Sequence, residues 1–326
     1  MKHFSSGVIF FFIAVTVLPA QLNERDLVNP PSSVFTEIWA YLMDGEEDRF
    51  DYSAPVTDIG YFGAGLNTFG KLVGVPDPAK IARFPGKIHL IVVDNGRALT
   101  HFSLNPAYNV REELITDIVQ AAEPFDGVQI DFELVPKEDK EHYLSFLSML
   151  KSLLGEKMLT VAIPARTRYL ERDAYDYARI ARTVDRVIVM AYDEHWSTSA
   201  PGPVASFDWC HRVSQYALAT IGQEKLVMGL PFYGRAWGDI NPSRAYRHVT
   251  LSELIKDKKV SGITRQQGVP TFTYQETVSV TVYFDDAISI AARAKMYERD
   301  AVRSIAFWRI GQEDPAVWKY LSVAQF

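Results

Sequence analysis

Two carboxylates lie two residues apart in a stretch of alternating polar and apolar character, residues 125–133. Read as a β-strand, this stretch places Gln129, Asp131 and Glu133 on one face and apolar side chains on the other. Residues two apart on a strand lie roughly 6.5–7 Å apart at Cα, so the two carboxylates can perturb each other's pKa. A catalytic acid that holds a proton near neutral pH needs such an environment. The stretch therefore predicts an acid–base pair.

Eight strand-like runs, mostly separated by amphipathic helical runs, must position this pair. We predict strands at 37–42, 56–62, 87–93, 125–133, 158–163, 186–192, 226–230 and 303–308, and helices at 110–122, 138–154, 175–182, 207–221 and 286–299. Alternation of this kind without hairpin turn signals favours an α/β fold of the (β/α)8 TIM barrel type over a doubly wound sheet. The second strand–helix unit is weak, because residues 64–86 are rich in Gly and Pro.

The segment between the seventh strand and the last helix does not follow this alternation. Within it, residues 270–274 and 278–283 have the pattern of a β-hairpin. Loops that follow barrel strands can grow without disturbing the barrel. We therefore predict a small α+β insertion at about 237–284, beside the catalytic end of the barrel, and leave open whether it contacts substrate.

Composition excludes several classes of partner. The chain has 326 residues, and the 48% that are hydrophobic give ample material for a core. Its formal net charge of −6 argues against a nucleic-acid partner. The single Cys210 excludes an internal disulfide framework and a cysteine-based zinc site, and we expect it buried on a helix. The histidines show no metal-ligand spacing. We expect no metal.

The N-terminus has the pattern of an export signal. Lys2 and His3 precede an apolar run at residues 7–18 that is short for a membrane span. We predict a signal peptide at residues 1–20, a linker at 21–35 and a catalytic barrel at 36–326, and hence a secreted or periplasmic protein. Leu18 is larger than the residue preferred at a cleavage site, so an uncleaved anchor is the alternative.

Polar and aromatic residues follow the other predicted strands at the end where barrel enzymes carry their catalytic groups. Tyr192 and Asp193 close the sixth strand, Tyr233 and Arg235 follow the seventh, and Trp308 closes the eighth. Carboxylates combined with a large flat aromatic side chain suit a sugar, because the ring stacks on the sugar's apolar face and the acids act on the glycosidic oxygen. These residues predict a carbohydrate-active site, which Trp196 and Trp237 could extend.

Four motifs together carry a resemblance to a known family. The stretch FDGVQIDFE at 125–133 resembles the DxxDxDxE signature of family 18 glycoside hydrolases, and MAYD at 190–193 resembles that family's MxYD. The segment LPFYGR at 230–235 and the tryptophan of AFW at 306–308 resemble its seventh- and eighth-strand motifs. The order and spacing agree across residues 36–326.

The resemblance implies a retaining, substrate-assisted glycosidase without a metal or an organic cofactor. Glu133 would protonate the leaving oxygen while the substrate's 2-acetamido carbonyl attacks the anomeric carbon. Asp131 would orient the acetamido group, Tyr192 would hydrogen-bond its carbonyl, and Trp308 would form the floor under the distorted sugar. The remaining matched positions would line the cleft: Gln129, Met190, Asp193, Tyr233 and Arg235.

Gln129 departs from the family pattern, which usually has a third aspartate at this position. An amide can hydrogen-bond Asp131 but carries no charge, so we expect Asp131 to ionise more readily and the pH profile to differ. A neutral residue here resembles the branch that includes spore-cortex and other peptidoglycan N-acetylglucosaminidases.

Peptidoglycan is therefore the favoured substrate, and we expect a monomer acting on an N-acetylglucosamine-containing polysaccharide. The alternatives are a chitinase, an endo-β-N-acetylglucosaminidase of glycoprotein glycans, and a lectin that binds without hydrolysis. Lectins of this family typically replace the proton donor, whereas Glu133 is present.

Overall fold

Eight parallel strands close into a barrel in the computed structural model, which describes residues 24–94, 96–238, 244–275 and 279–325. The strands are β1 (Glu37–Met43), β2 (Asp58–Leu66), β3 (Lys87–Asp94), β4 (Gly127–Phe132), β5 (Met158–Pro164), β6 (Arg186–Met190), β7 (Leu226–Pro231) and β8 (Ser304–Trp308). Each pairs in parallel with its neighbours in chain order, and β1 pairs with both β2 and β8, which closes the barrel. The predicted (β/α)8 fold is confirmed.

The alternation seen in the sequence separates the barrel interior from the layer beneath the helices. Ile91, Ile188 and Val227 belong to one apolar cluster of alternating strand positions, and the opposite faces of the strands belong to the main core. On β4, Phe132 is fully buried and stacks on Phe146 with ring centroids 5.6 Å apart. Burying one such side chain stabilises the fold by about 1.5–3 kcal/mol. This packing fixes which face of β4 turns inward.

In the described ranges, seven α-helices surround the barrel or lie in its connections. They are α1 (Arg97–Leu104), α2 (Arg111–Ala121), α3 (Lys140–Leu154), α4 (Tyr177–Thr183), α5 (Phe207–Ile221), α6 (His248–Asp257) and α7 (Ala287–Arg299). The five predicted helices agree with α2, α3, α4, α5 and α7 to within two residues. The short helix α1 was not predicted. Between β2 and β3 the described chain forms only a short strand (Leu72–Val73) and a 3-10 turn (Pro78–Ile81), because this segment is rich in Gly and Pro.

The segments near the two ends of the described chain pair with each other outside the barrel. The predicted signal peptide, residues 1–20, lies outside the described residues. Within the predicted linker, Glu24–Leu27 forms a 3-10 turn and Ser33–Phe35 pairs in parallel with Leu321–Val323, after the final 3-10 turn Pro315–Tyr320. Further single 3-10 turns occur at Glu47–Arg49, Pro106–Tyr108 and Lys137–Asp139.

The predicted insertion is a five-stranded antiparallel sheet with α6 against it. Across the sheet the strands are Arg244–Arg247, Tyr233–Gly238, Ser279–Tyr283, Val269–Gln275 and Thr264–Gln266. The predicted hairpin corresponds to Val269–Gln275 and Ser279–Tyr283, but the sheet begins at Tyr233 rather than near 237. Gly234 permits this early start, because a Cβ there would lie 2.5 Å from the carbonyl oxygen of Tyr283.

A capping box ends the insertion and begins α7. The Asp286 carboxylate accepts a hydrogen bond from the backbone N–H of Ser289 at 2.8 Å, and the Ser289 hydroxyl accepts one from the Asp286 N–H at 3.0 Å. In the described part of the chain no helix has the length and apolarity needed to cross a membrane. Cys210 is buried on α5, as predicted, with its Sγ 3.6 Å from the carbonyl oxygen of Ala191.

Candidate active site

The predicted acid–base pair lies at the C-terminal end of β4. Asp131 is almost fully buried, with 5% of its surface exposed, whereas Glu133 follows the strand and is open to the cleft. Burial, and then the charge of Glu133, raise the pKa of Asp131 from 3.8 to about 8. The pKa of Glu133 is also raised, first by the cleft walls that remove water from it and then by the charge of Asp193. Both carboxyls are therefore shifted towards their protonated forms.

Gln129 is fully buried in the barrel interior, two residues before Asp131. Its amide nitrogen and oxygen have no hydrogen-bond partner among the described residues, and neither does the Oδ1 atom of Asp131. The hydrogen bond that the sequence allowed between the two side chains is therefore not formed. The missing charge at position 129 favours ionisation of Asp131, but burial of this carboxyl has the opposite effect and raises its pKa.

Two tyrosine hydroxyls lie near the buried carboxyl. Burial raises the pKa of Tyr192 well above 10.0, and electrostatic repulsion from the ionised forms of Tyr41 and Asp131 adds to this effect. The pKa of Tyr41 on β1 is raised well above 10.0 by burial and then by Asp131. Both phenols therefore remain protonated and can donate hydrogen bonds. Tyr41 was missed by the sequence analysis, because nothing distinguishes it from a core residue of its strand.

Trp308 ends β8 and lies across the floor of the cleft. Its ring centroid is 4.8 Å from that of Phe62 and 5.6 Å from that of Tyr41, with edge-to-face and tilted geometry. The side chain is only half-buried, and its peptide bond to Arg309 is cis. An aromatic ring supported from below and open above can stack on a sugar.

Asp193 joins the barrel to the insertion. Its φ of 57° is in the left-handed region, which turns the chain sharply after β6 and is uncommon for residues other than Gly, Asn or Asp. The Asp193 Oδ1 atom accepts hydrogen bonds from the Tyr233 hydroxyl at 2.5 Å and from Arg235 Nε and Nη2 at 3.0 and 2.7 Å. Since β7 ends at Pro231, Tyr233 and Arg235 belong to the first strand of the insertion. The insertion therefore supplies part of the site.

These side chains line two connected lobes of one cleft. The floor lobe, of about 360 Å³, contains Asp131, Tyr233, Arg235 and Trp308. The outer lobe, of about 730 Å³, contains residues that sequence reasoning missed, namely Arg166, Tyr175 and Trp209, together with Trp196. Four residues line both lobes: Glu133, Met190, Tyr192 and Asp193. Glu133 thus lies at the boundary between the two lobes.

The predicted site residues lie together at the cleft, with one exception. All of them lie at the cleft except Gln129, which is buried beneath it. Trp196 lines the outer lobe, whereas Trp237 is buried in the insertion against Tyr283, with ring centroids 6.0 Å apart. Within the described ranges, no group of three or more His, Cys, Asp or Glu side chains is arranged to hold a metal ion.

A parallel (β/α)8 barrel with carboxylates, a tyrosine and a half-buried tryptophan at its strand ends defines a carbohydrate-cleaving class of enzyme. The family model of glycosyl hydrolases family 18 matches residues 91–313, and the chain belongs to this family. The protein is a glycoside hydrolase.

Relatives with related names support this assignment. The chain is 28% identical over 247 residues to the uncharacterized glycosylase YvbX of Bacillus subtilis, covering 72% of this chain and 69% of that protein. It is 27% identical over 293 residues to a cortical fragment-lytic enzyme of Bacillus anthracis, covering 82% and 67%. The crystal structure of the Bacillus cereus spore cortex-lytic enzyme SleL matches with a TM-score of 0.80 at 25% identity, covering 90% of this chain and 76% of that one.

Proposed function

We propose that the protein is a retaining β-N-acetylglucosaminidase that hydrolyses peptidoglycan with the help of the substrate's own acetamido group. The observation that carries this proposal is the state of the carboxylates at the cleft. Asp193 is held by Arg235, and the Glu194 Oε2 atom accepts a hydrogen bond from the backbone N–H of Ser206 at 2.8 Å. Among the described residues that line the two lobes, this leaves Glu133 as the open acid and Asp131 as the buried one.

This arrangement suits a nucleophile that comes from the substrate. A glycosidase that forms a covalent enzyme intermediate needs a second free carboxylate positioned at the anomeric carbon. Asp131 is too buried for that role but lies where a 2-acetamido group would enter the floor lobe. Glu133 protonates the glycosidic oxygen, the C–O bond breaks, and the acetamido carbonyl oxygen bonds to the anomeric carbon to give an oxazolinium ion. Glu133 then takes a proton from a water molecule that attacks the anomeric carbon, and the bond from that carbon to the acetamido oxygen breaks. This step regenerates the acid and the acetamido group and retains configuration.

The raised pKa of Asp131 is compatible with this role. In the free protein its carboxyl holds a proton at neutral pH, because its pKa is about 8. An acetamido N–H that faces the carboxyl stabilises the ionised form, so substrate binding lowers this pKa. The resulting carboxylate orients the acetamido group and stabilises the positive charge of the oxazolinium ion. Tyr192 donates a hydrogen bond to the carbonyl oxygen, and Trp308 supports the sugar ring.

A substrate comparison tests the proposal. Purified protein is incubated with peptidoglycan, chitin oligomers and a high-mannose glycoprotein, with Glu133→Gln as the inactive control, and products are identified by mass spectrometry. We expect cleavage of peptidoglycan with release of reducing N-acetylglucosamine ends in the β configuration, observed by NMR. Faster cleavage of chitin or of the glycoprotein would replace the proposed substrate. Binding of all three without cleavage would contradict an active hydrolase.

A second comparison tests the mechanism. Oligomers whose 2-acetamido groups have been converted to free amines lack the internal nucleophile but keep the same linkage. We expect no cleavage where such a unit occupies the floor lobe. Equal rates on acetylated and deacetylated oligomers would overturn the substrate-assisted step while leaving the hydrolase assignment intact.

We also propose that the protein is exported. Peptidoglycan lies outside the cytoplasmic membrane, and residues 1–20, which lie outside the described part of the chain, have the composition of a signal peptide. N-terminal sequencing of the protein from fractionated cells checks this proposal. Recovery of the full-length chain in the cytoplasm would contradict it.

A further inference from the structure

We propose that the cleft continues into a third pocket on the leaving-group side, and that this pocket binds a carboxylate carried by the substrate through Arg168. The inference rests on the proposed function and specifies which part of the substrate the enzyme recognises. Glu133 lies at the boundary of the two lobes, and the acetamido-bearing sugar occupies the floor lobe beside Asp131. The outer lobe therefore holds the sugar that leaves.

The third pocket, which we call the distal groove, lies directly beside the outer lobe. Its volume is about 190 Å³, and it shares Arg166 and Tyr175 with the outer lobe. The Tyr175 hydroxyl donates a hydrogen bond to the carbonyl oxygen of Phe132 at 2.6 Å and accepts one from the backbone N–H of Val135 at 3.1 Å. These bonds fix the shared wall to the chain on either side of Glu133. The groove is therefore held in a defined position relative to the scissile bond.

Among the described residues, the charges in the distal groove leave one cation without a counterion. Lys140 pairs with Asp176 at 2.8 Å, and Arg166 pairs with Asp173 at 2.6 Å. Arg168 is exposed, and it makes no ion pair or hydrogen bond with any of the described residues. Since the other two cations are neutralised, Arg168 gives this groove a local positive charge on a protein whose formal net charge is −6.

Apolar side chains beside Arg168 are also exposed. Tyr169 is 62% exposed and Leu170 is 38% exposed, and both line the distal groove. The partly buried ring of Tyr216 also lines the groove. A guanidinium next to exposed aromatic and aliphatic surface suits a ligand that has both a carboxylate and an apolar part.

Peptidoglycan carries such groups and chitin does not. Alternate sugars of peptidoglycan bear an acidic ether substituent that is free or extended by a short peptide ending in carboxylates, whereas chitin is an uncharged polymer of a single sugar. With an acetamido sugar in the floor lobe, a substituted sugar occupies the outer lobe and its side group lies towards the distal groove. Arginine binds a carboxylate through two parallel hydrogen bonds, which favours this leaving group.

A pair of arginine variants tests this assignment. Arg168→Gln removes the charge in the groove, and Arg172→Gln is the matched control, because Arg172 is an exposed arginine on the same loop that does not line the groove. The substrates are soluble peptidoglycan fragments, the same fragments with their carboxylates amidated, and chitin oligomers of equal length. A charge-assisted hydrogen bond at an exposed site corresponds to about a five- to tenfold effect.

We expect Arg168→Gln to raise KM about five- to tenfold on the carboxylated fragments, with kcat little changed and no effect on the amidated fragments or on chitin. Amidation should cost the wild type a similar factor. Equal KM values for Arg168→Gln and wild type on carboxylated fragments would overturn the inference. So would an equal loss in Arg172→Gln, since this would indicate long-range attraction rather than a bound carboxylate.

The same experiment separates this inference from the proposed function. If wild-type protein cleaves only chitin, the proposed substrate is wrong. Calorimetric binding of the carboxylated fragment to Glu133→Gln, with and without Arg168→Gln, then decides whether the groove binds the carboxylate. Far-UV circular dichroism spectra that match the wild type show that both arginine variants are folded.

Discussion

The buried carboxyl of Asp131 should make the protein less stable as the pH rises, and Asp131→Asn should remove this dependence. The folded chain holds the Asp131 proton up to a pH of about 8, whereas the unfolded chain releases it near 3.8. Between these values the folded state binds more protons than the unfolded state, so the free energy of unfolding falls as the pH increases. Asparagine has a similar shape and no titratable proton, so the variant should lack this contribution.

The size of the effect follows from linkage. One bound proton contributes about 1.4 kcal/mol for each pH unit between the two pKa values. From pH 5 to pH 7 the stability of Asp131→Asn relative to wild type should therefore increase by about 2.5 kcal/mol. The Asn variant should also lose most of its activity, because it cannot provide a negative charge beside the oxazolinium ion.

Urea unfolding of both proteins at pH 5, 6 and 7 measures this difference. Comparing the two proteins at each pH cancels the contributions of all other titrating groups, provided that the dependence of the unfolding free energy on urea is the same for both. A stability difference that stays constant from pH 5 to pH 7 would refute the reasoning. It would mean that the folded protein does not hold the Asp131 proton.

Variants at three positions test the site further. Glu133→Gln should lower kcat about 10²- to 10⁴-fold with little change in the Kd of a substrate oligomer, measured by calorimetry; a similar loss of binding would contradict a role as proton donor. Gln129→Asp should move the part of the kcat/KM–pH profile that depends on Asp131 to higher pH, because a nearby like charge raises that pKa; an unchanged profile would contradict this. Trp308→Ala should lower kcat/KM about 10- to 100-fold, and Trp308→Phe should retain most activity; equal losses would exclude stacking.

The parts of the structure that sequence predicted well are those determined by local pattern. The alternation on β4 identifies the inward-facing side chains, because every second residue of a strand lies on the same face. The strand ends that carry Tyr192 and Trp308 follow from the same reasoning, since parallel strands in a barrel present their C-terminal ends to one side. Among the predicted strands, only β2 has an end that differs from the observed end by more than two residues. This strand continues past its predicted end through a register shift between Phe62 and Ala64.

The parts that sequence did not predict depend on tertiary contacts. Arg166, Tyr175 and Trp209 line the outer lobe but occur in loop or helix positions with no periodic signal. The pKa of Asp131 depends on burial by side chains from other strands, which cannot be counted from the local sequence. The sequence placed Tyr233 after the seventh strand but did not show that it belongs to a separate antiparallel sheet. That sheet is defined by pairing between distant residues, such as Tyr233 with Arg247.

Asp193 links the barrel to the insertion, because its charge acts on Glu133 while it accepts hydrogen bonds from Tyr233 and Arg235 of the insertion. The charge of Asp193 raises the pKa of Glu133, and Arg235 from the insertion lies on the same carboxylate at 2.7 Å. Asp193→Asn would remove a negative charge and leave the Arg235 cation unpaired near Glu133, and both changes stabilise the ionised acid. The alkaline limb of kcat/KM should therefore move to lower pH, measured from pH 5 to pH 9. A limb that stays in place would show that the insertion supports the site only by shape.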